Sequence, residues 1–302
     1  MSRWLVAAPL IAAVLAVLYA RSQPAPSRLF SGSNSNSSRS MMMTQSSEKG
    51  RNERDGAAVL MDQIVMFGDS ITQGAWVAGG TGAALAHAYQ RKLDVVNRGL
   101  SGYNTVWAIP VLKQWLPRVG ERLPLPKILM IWFGANDAAL PPSPQSITID
   151  EFKSNLDTII SLVRDPTSPY HSPSTHLVLL TPPPVDDLVR NAELASRVPA
   201  RVPDRDAERT RQFAEAVKDV AAARGVGCVD TWGAIMDAAQ REDGGRLGRF
   251  LGDGLHLTPA GYEVVTARVL DLIKNELPDL MYDKLPQVYP HWAEWIPEEQ
   301  RF

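Results

Sequence analysis

Residues 63–72 read QIVMFGDSIT. Gln63–Phe67 is a short apolar run stopped by Gly68, the pattern of a strand buried on both faces. Lys127–Phe133 (KILMIWF) repeats that pattern more strongly before Gly134, and His176–Thr181 (HLVLLT) does so before Pro182-Pro183-Pro184. Weaker runs at Asp94–Asn97 and Val226–Asp230 bring the strands to five. Helical patterns separate them. Gly82–Lys92 fits one helix, and Val106–Leu116 a second, with Pro110 as an unfavourable residue inside it. Thr148-x-x-Glu151 is a capping box, and Phe152, Leu156, Ile159, Ile160 and Val163 then share one face. Asp206–Arg224 is highly charged, with Phe213, Val217, Val220 and Ala221 as its apolar stripe and Gly225 as its stop. Thr258-Pro259 places an N-cap before a first-turn proline, and the helix runs on through Tyr262, Val265, Val269, Leu272 and Ile273. Strands alternating with amphipathic helices predict an α/β fold, a parallel sheet covered on both faces. Residues 182–204 are interrupted by prolines and read as helix-poor, either a surface excursion or part of a lid beside the strand ends.

The chain has 302 residues, and the first 60 do not read as a packed domain. Residues 61–302 have the length of one α/β domain with a full core. The net charge of −2 hides an asymmetry. Residues 1–60 carry seven Lys/Arg against three Asp/Glu, and the remainder carries 24 against 30. An acidic globular part argues against nucleic acid as the main partner. The one cysteine, Cys228, excludes an intramolecular disulfide and a multi-cysteine zinc cage, and reads as an inert small hydrophobe.

Trp4–Ala20 has no charged side chain and lies between Arg3 and Arg21. Its length is at the short end of a bilayer span, about 17–25 residues. A cleaved signal is the rival reading, but a cut after Ala20 puts Leu18 where a small residue belongs. The expectation is a membrane-anchored protein held by a single transmembrane helix, with the C-terminal side weakly placed in the cytosol. The alternatives are secretion after cleavage, or a cytoplasmic form translated from near Met41. Ser31–Ser40 (SGSNSNSSRS) reads as a flexible linker.

In open parallel sheets ligands bind beyond the carboxyl ends of the strands. The segments at those ends are Gly68-Asp69-Ser70-Ile71-Thr72, Asn97-Arg98-Gly99-Leu100-Ser101-Gly102, Gly134-Ala135-Asn136-Asp137 and, before the last helix, Asp253-Gly254-Leu255-His256. Together they meet the needs of acyl transfer. A serine hydroxyl needs a base within hydrogen-bond reach, and His256 is the candidate for Ser70. Asp253, three residues earlier, can orient the imidazole. Donors for an oxyanion are the Ser70 N–H at a strand-to-helix junction, the Gly102 N–H and the Asn136 side-chain amide. Each piece alone reads more simply as turn or loop chemistry. Their order at four strand ends is what gives them weight.

The blocks GDSIT, SG, GAND and DGLHLTPAG resemble the GDSL/SGNH hydrolase superfamily. Its namesake Ser, Gly, Asn and His fall on Ser70, Gly102, Asn136 and His256, with Asp253 completing a triad. FGDSITQ, RGLSGYNTVWA, FGANDAALP, LTPPPV and LGDGLHLTPAG are similar to the isoamyl acetate-hydrolysing esterase branch. The resemblance runs from about Ile64 to Tyr262, with a vaguer similarity over Leu285–Trp292. It implies a three-layer α/β/α, flavodoxin-like fold whose five parallel strands stand in the order 2-1-3-4-5.

Trp76, Tyr103 and Trp107 lie near the catalytic blocks in sequence, as pocket lining or as core. His87, His171, His176 and His291 read as surface or structural histidines. Gly79-Gly80-Thr81-Gly82 lacks the ending of a phosphate loop. No metal or cofactor is expected. The predicted activity is a serine esterase acting on small, acetate-type esters. Lipid esters, acetylated carbohydrates and, from another class, a non-catalytic membrane-tethered binding module are the alternatives.

Overall fold

A computed structural model describes residues 59–300. These residues belong to one compact unit. Its elements are β1 (Gln63–Gly68), a short α1 (Ser70–Gln73), α2 (Thr81–Ala88), β2 (Asp94–Gly99), α3 (Thr105–Trp115), β3 (Pro126–Trp132), α4 (Ile149–Arg164), β4 (His176–Leu180), α5 (Asp187–Ser196), α6 (Ala207–Arg224), β5 (Gly227–Val229), α7 (Thr231–Asp243) and α8 (Pro259–Glu276). All five strands are parallel, in the order β2-β1-β3-β4-β5. The α/β/α SGNH-hydrolase fold expected from the sequence is the fold observed.

The continuous apolar runs follow from burial on both faces. Successive side chains of a strand point to opposite sides. Ile64 and Met66 of β1 join Ile128, Met130, Val178, Leu180, Val265 and Val269 in one core. Val65 and Phe67 join Leu129, Ile131, Leu112, Phe152, Ile160 and Val217 in the other. Strand β2, at the edge, is only half-buried, which explains its weak apolar signal.

Helix starts are set by short polar side chains accepting from first-turn N–H groups. Asp69, Asn104, Thr148, Asp186, Asp206, Asp230 and Thr258 all cap in this way. Gly225 ends α6 in the left-handed conformation, as its position predicts.

Two expectations need correction. Residues 182–204 are not helix-poor: they hold α5. Its buried face contains only Arg190 and Leu194, while Leu188 and Val189 are exposed, so the apolar stripe that marks a helix is missing. The transmembrane helix is the second. Among the described residues no helix is long and apolar enough to cross a membrane. The two longest, α6 and α8, have 18 residues each and carry charges along their outer faces. Trp4–Ala20, where the span was expected, lies outside the described residues. The membrane-anchored location that rested on it is dropped.

Phe67 is fully buried, edge-on to Trp115 (5.5 Å between centroids) and Phe133 (4.9 Å). Phe67→Ala empties the space beneath the serine-bearing turn. It is expected to lower unfolding free energy by about 3–5 kcal/mol in urea titration. A loss below about 1 kcal/mol would show that this face of the sheet is not well packed.

Candidate active site

Strand order reverses between β1 and β3: the chain leaves β1 toward β2 and returns past it to β3. A crevice at the carboxyl ends is the geometric result, and ligands bind at such switch points. Four chain segments meet there.

Ser70 is the first residue of α1, so its N–H has no partner within the helix. Its Oγ lies 3.0 Å from His256 Nε2, although the two are 186 residues apart in sequence. His256 Nδ1 lies 2.8 Å from Asp253 Oδ2. The other oxygen, Asp253 Oδ1, accepts from the backbone N–H groups of Leu255 (3.1 Å) and His256 (2.8 Å). That turn depends on Gly254, at φ +80°, where a Cβ would stand 2.5 Å from the Asp186 carbonyl oxygen. Burial pushes the Asp253 carboxyl upward, but the His256 ring and the two N–H groups outweigh it. The net effect holds Asp253 below the usual carboxylate range.

Gly102 also sits in the left-handed region, at φ +82°, where a Cβ would meet only Gln145 Nε2, at 3.7 Å. Conformation, not crowding, is what requires glycine there. The Asn136 Nδ2 donates to the Tyr103 carbonyl at 2.9 Å, and the Gln145 Nε2 donates to the Gly102 carbonyl at 2.8 Å. The loops after β2 and β3 are thereby pinned to each other. Tyr103 and Trp107 pack edge to face at 6.2 Å, next to the Asn136 contact, and Trp107 is partly exposed. Trp76 packs against Gly82 and the core. Of the five histidines only His256 meets the serine. His87, His176 and His291 are exposed and His171 is half-buried. Burial pushes the Cys228 thiol up to about 11, which keeps it a thiol at neutral pH.

Sequence reasoning missed several residues around the site. Arg190 Nη1 donates to Asp253 Oδ2 at 3.0 Å, and Arg205 Nη2 donates to Asn136 Oδ1 at 2.8 Å. Both guanidinium groups are buried. In sequence they look like any solvated arginine, and no spacing marks them. Two aspartates lie fully buried beneath the crevice. Asp69 caps α1 through the Ile71 N–H. Asp137 accepts from the N–H and hydroxyl of Thr105, which starts α3, and from the Gly134 N–H. Burial pushes Asp69 up to about 7, with nearby Asp137 adding to the rise and Ile71 N–H, His256 and Arg205 opposing it. Burial pushes Asp137 up to about 6 against its hydrogen bonds. A separate cavity of about 230 Å³ lies at the amino end of β3, lined by Leu125, Pro126, Tyr170 and His171, and contains none of these groups.

Residues 66–264 match the GDSL-like Lipase/Acylhydrolase family. A GDSL esterase/lipase of Arabidopsis thaliana is 36% identical over 235 residues, covering 76% of this chain and 91% of that protein. An isoamyl acetate-hydrolyzing esterase 1 homolog of Bos taurus is 34% identical, covering 79% and 90%. The crystal structure of a lipase/acylhydrolase from Enterococcus faecalis has a TM-score of 0.52 at 27% identity, covering 75% of this chain and 98% of that one. The fold and the ordered blocks thus define a GDSL-type serine-hydrolase architecture. The chain belongs to the GDSL-like lipase/acylhydrolase family and is a hydrolase of the esterase class.

The raised aspartates give a pH signature. When the folded pKa of an acid lies above its unfolded value, the folded state holds the extra proton. Its stability is then full below about 4 and is lost as pH rises through the folded value. Wild type should therefore lose about 3 kcal/mol relative to Asp69→Asn between pH 4.5 and 8, read by urea titration at each pH. A difference that stays constant with pH would contradict the buried, proton-holding Asp69.

Proposed function

We propose that residues 61–302 form a serine esterase domain that hydrolyses small, acetate-type carboxylic esters without a metal. The observation that carries this is the 3.0 Å approach of Ser70 Oγ to His256 Nε2, with Asp253 2.8 Å behind the ring. His256 Nε2 takes the Ser70 proton as Oγ attacks the ester carbonyl. Negative charge then gathers on the carbonyl oxygen, and the Ser70 N–H, the Gly102 N–H and the Asn136 amide stabilise it. The carbon–oxygen bond to the alcohol breaks, and the alcohol leaves with the proton from His256. Water, deprotonated by the same imidazole, attacks the acyl-serine; the acyl–Oγ bond breaks, His256 returns the proton to Ser70 Oγ, and the carboxylic acid leaves. Asp253 stays ionised throughout and stabilises the imidazolium.

Acetate-type esters are favoured over lipids because a relative sharing about a third of its residues is named for isoamyl acetate hydrolysis. Tyr103, whose carbonyl accepts from the Asn136 amide, pairs edge to face with Trp107, and the two rings are the aromatic candidates for a small acyl or alcohol pocket. Ser70→Ala is expected to lower kcat/KM for p-nitrophenyl acetate at least about a thousandfold. Undiminished hydrolysis would remove Ser70 from the chemistry. Along a series of p-nitrophenyl esters, kcat/KM should peak at the short acyl chains. A maximum at long chains would move the substrate to lipid esters.

A further inference from the structure

The segment from α5 to α6 carries an alternating series of charges that no step above uses. Arg190 Nη1 meets Asp253 Oδ2 at 3.0 Å, and Arg190 Nε meets Asp204 Oδ1 at 3.5 Å. Asp204 Oδ2 meets Arg205 Nη1 at 3.2 Å, and Arg205 Nη2 meets Asn136 Oδ1 at 2.8 Å. The series begins at the carboxylate behind His256 and ends at the amide assigned to the oxyanion.

We propose that Arg205 is a positioning residue for ester hydrolysis, aiming the Asn136 amide at the oxyanion, and that Asp204 and Arg190 tie it to the Asp253–His256 pair. This rests on the oxyanion role given to Asn136 above.

The chemistry leaves Asn136 a single orientation. A guanidinium only donates, so the face of the amide turned to Arg205 must be the oxygen. Nδ2 then points the other way. One of its hydrogens goes to the Tyr103 carbonyl, and the second is left for an acceptor in the crevice. A charged donor on Oδ1 also polarises the amide, which strengthens the bond that second hydrogen makes. Arg205 is 3% exposed, and its Nε has no partner among the described residues. Burying a guanidinium costs desolvation, which the contacts of its Nη atoms to Asp204, Asn136 and Gln145 offset. Asp204 supplies the counter-charge, and the backbone holds it in place because the Leu140 N–H donates to the Asp204 carbonyl at 3.0 Å. Gln145 closes the arrangement: its Oε1 accepts from Arg205 at 3.4 Å and its Nε2 donates to Gly102. One guanidinium thus bears on both loops proposed to hold the oxyanion.

The test is a double-mutant cycle in the full-length chain with p-nitrophenyl acetate. Arg205→Met is expected to lower kcat at least about tenfold with KM changed less than about threefold. In an Asn136→Ala background the same substitution should cost little more. Urea titration of each variant separates this from global destabilisation, which would not depend on Asn136. Should Arg205→Met fail to fold, Arg205→Lys replaces it: the charge stays but the fork is lost, and its kcat loss should likewise vanish in Asn136→Ala. If the losses multiply, or fall on KM alone, the positioning role is overturned while the serine-esterase reading stands. If Asn136→Ala itself leaves kcat unchanged, the oxyanion assignment fails, and this proposal fails with it.

Discussion

The hydrogen bond between Ser70 Oγ and His256 Nε2 joins the two ends of the domain across 186 residues, and much of the architecture sets its length. Ser70 is held by the turn from β1 into α1, which Asp69 caps and which the Tyr262 hydroxyl braces by donating to the Ile71 carbonyl at 2.7 Å. His256 is held by the Asp253 turn, which opens into α8. Tyr262 belongs to α8, so one side chain ties the helix after His256 to the turn that carries Ser70. The two sides of the hydrogen bond are therefore braced against each other directly.

The crevice concentrates charge in a buried setting, and its pieces depend on one another. Asp69 and Asp137 are kept toward their neutral forms by burial, while Asp253 is kept ionised by the imidazole and two backbone donors. Carboxyl groups with opposite displacements so close together are the mark of a site where environment sorts roles. Asp137 serves the scaffold: it joins the loop after β3 to the start of α3. Asp253 faces the His256 ring.

Much of this was legible in the sequence for physical reasons. A strand covered on both faces must be apolar throughout, so β1, β3 and β4 announce themselves. Short helix caps must be Ser, Thr, Asp or Asn, so the starts of α4, α6 and α8 do too. Ser70 and Asn136 sit in short blocks just after β1 and β3, and Asp253 and His256 share one turn before α8. Gly102 stands in the block that follows β2. What stayed hidden depends on tertiary context. Helix α5 buries an arginine where a stripe needs leucine, and α7 buries mainly small alanines, so neither stands out. Arg190 and Arg205 read as surface charges, because only the fold reveals the carboxylate and amide they meet. Trp76 packs on Gly82, a contact that only the fold reveals.

The central claim is that Ser70 is an activated nucleophile, and covalent labelling measures this without assuming a substrate. Folded protein would be treated with a fluorophosphonate and the modified peptide identified by mass spectrometry. The account predicts one adduct, on Ser70, formed far more slowly in His256→Ala. Absence of an adduct in folded protein, an adduct on another residue, or labelling indifferent to His256 would contradict it.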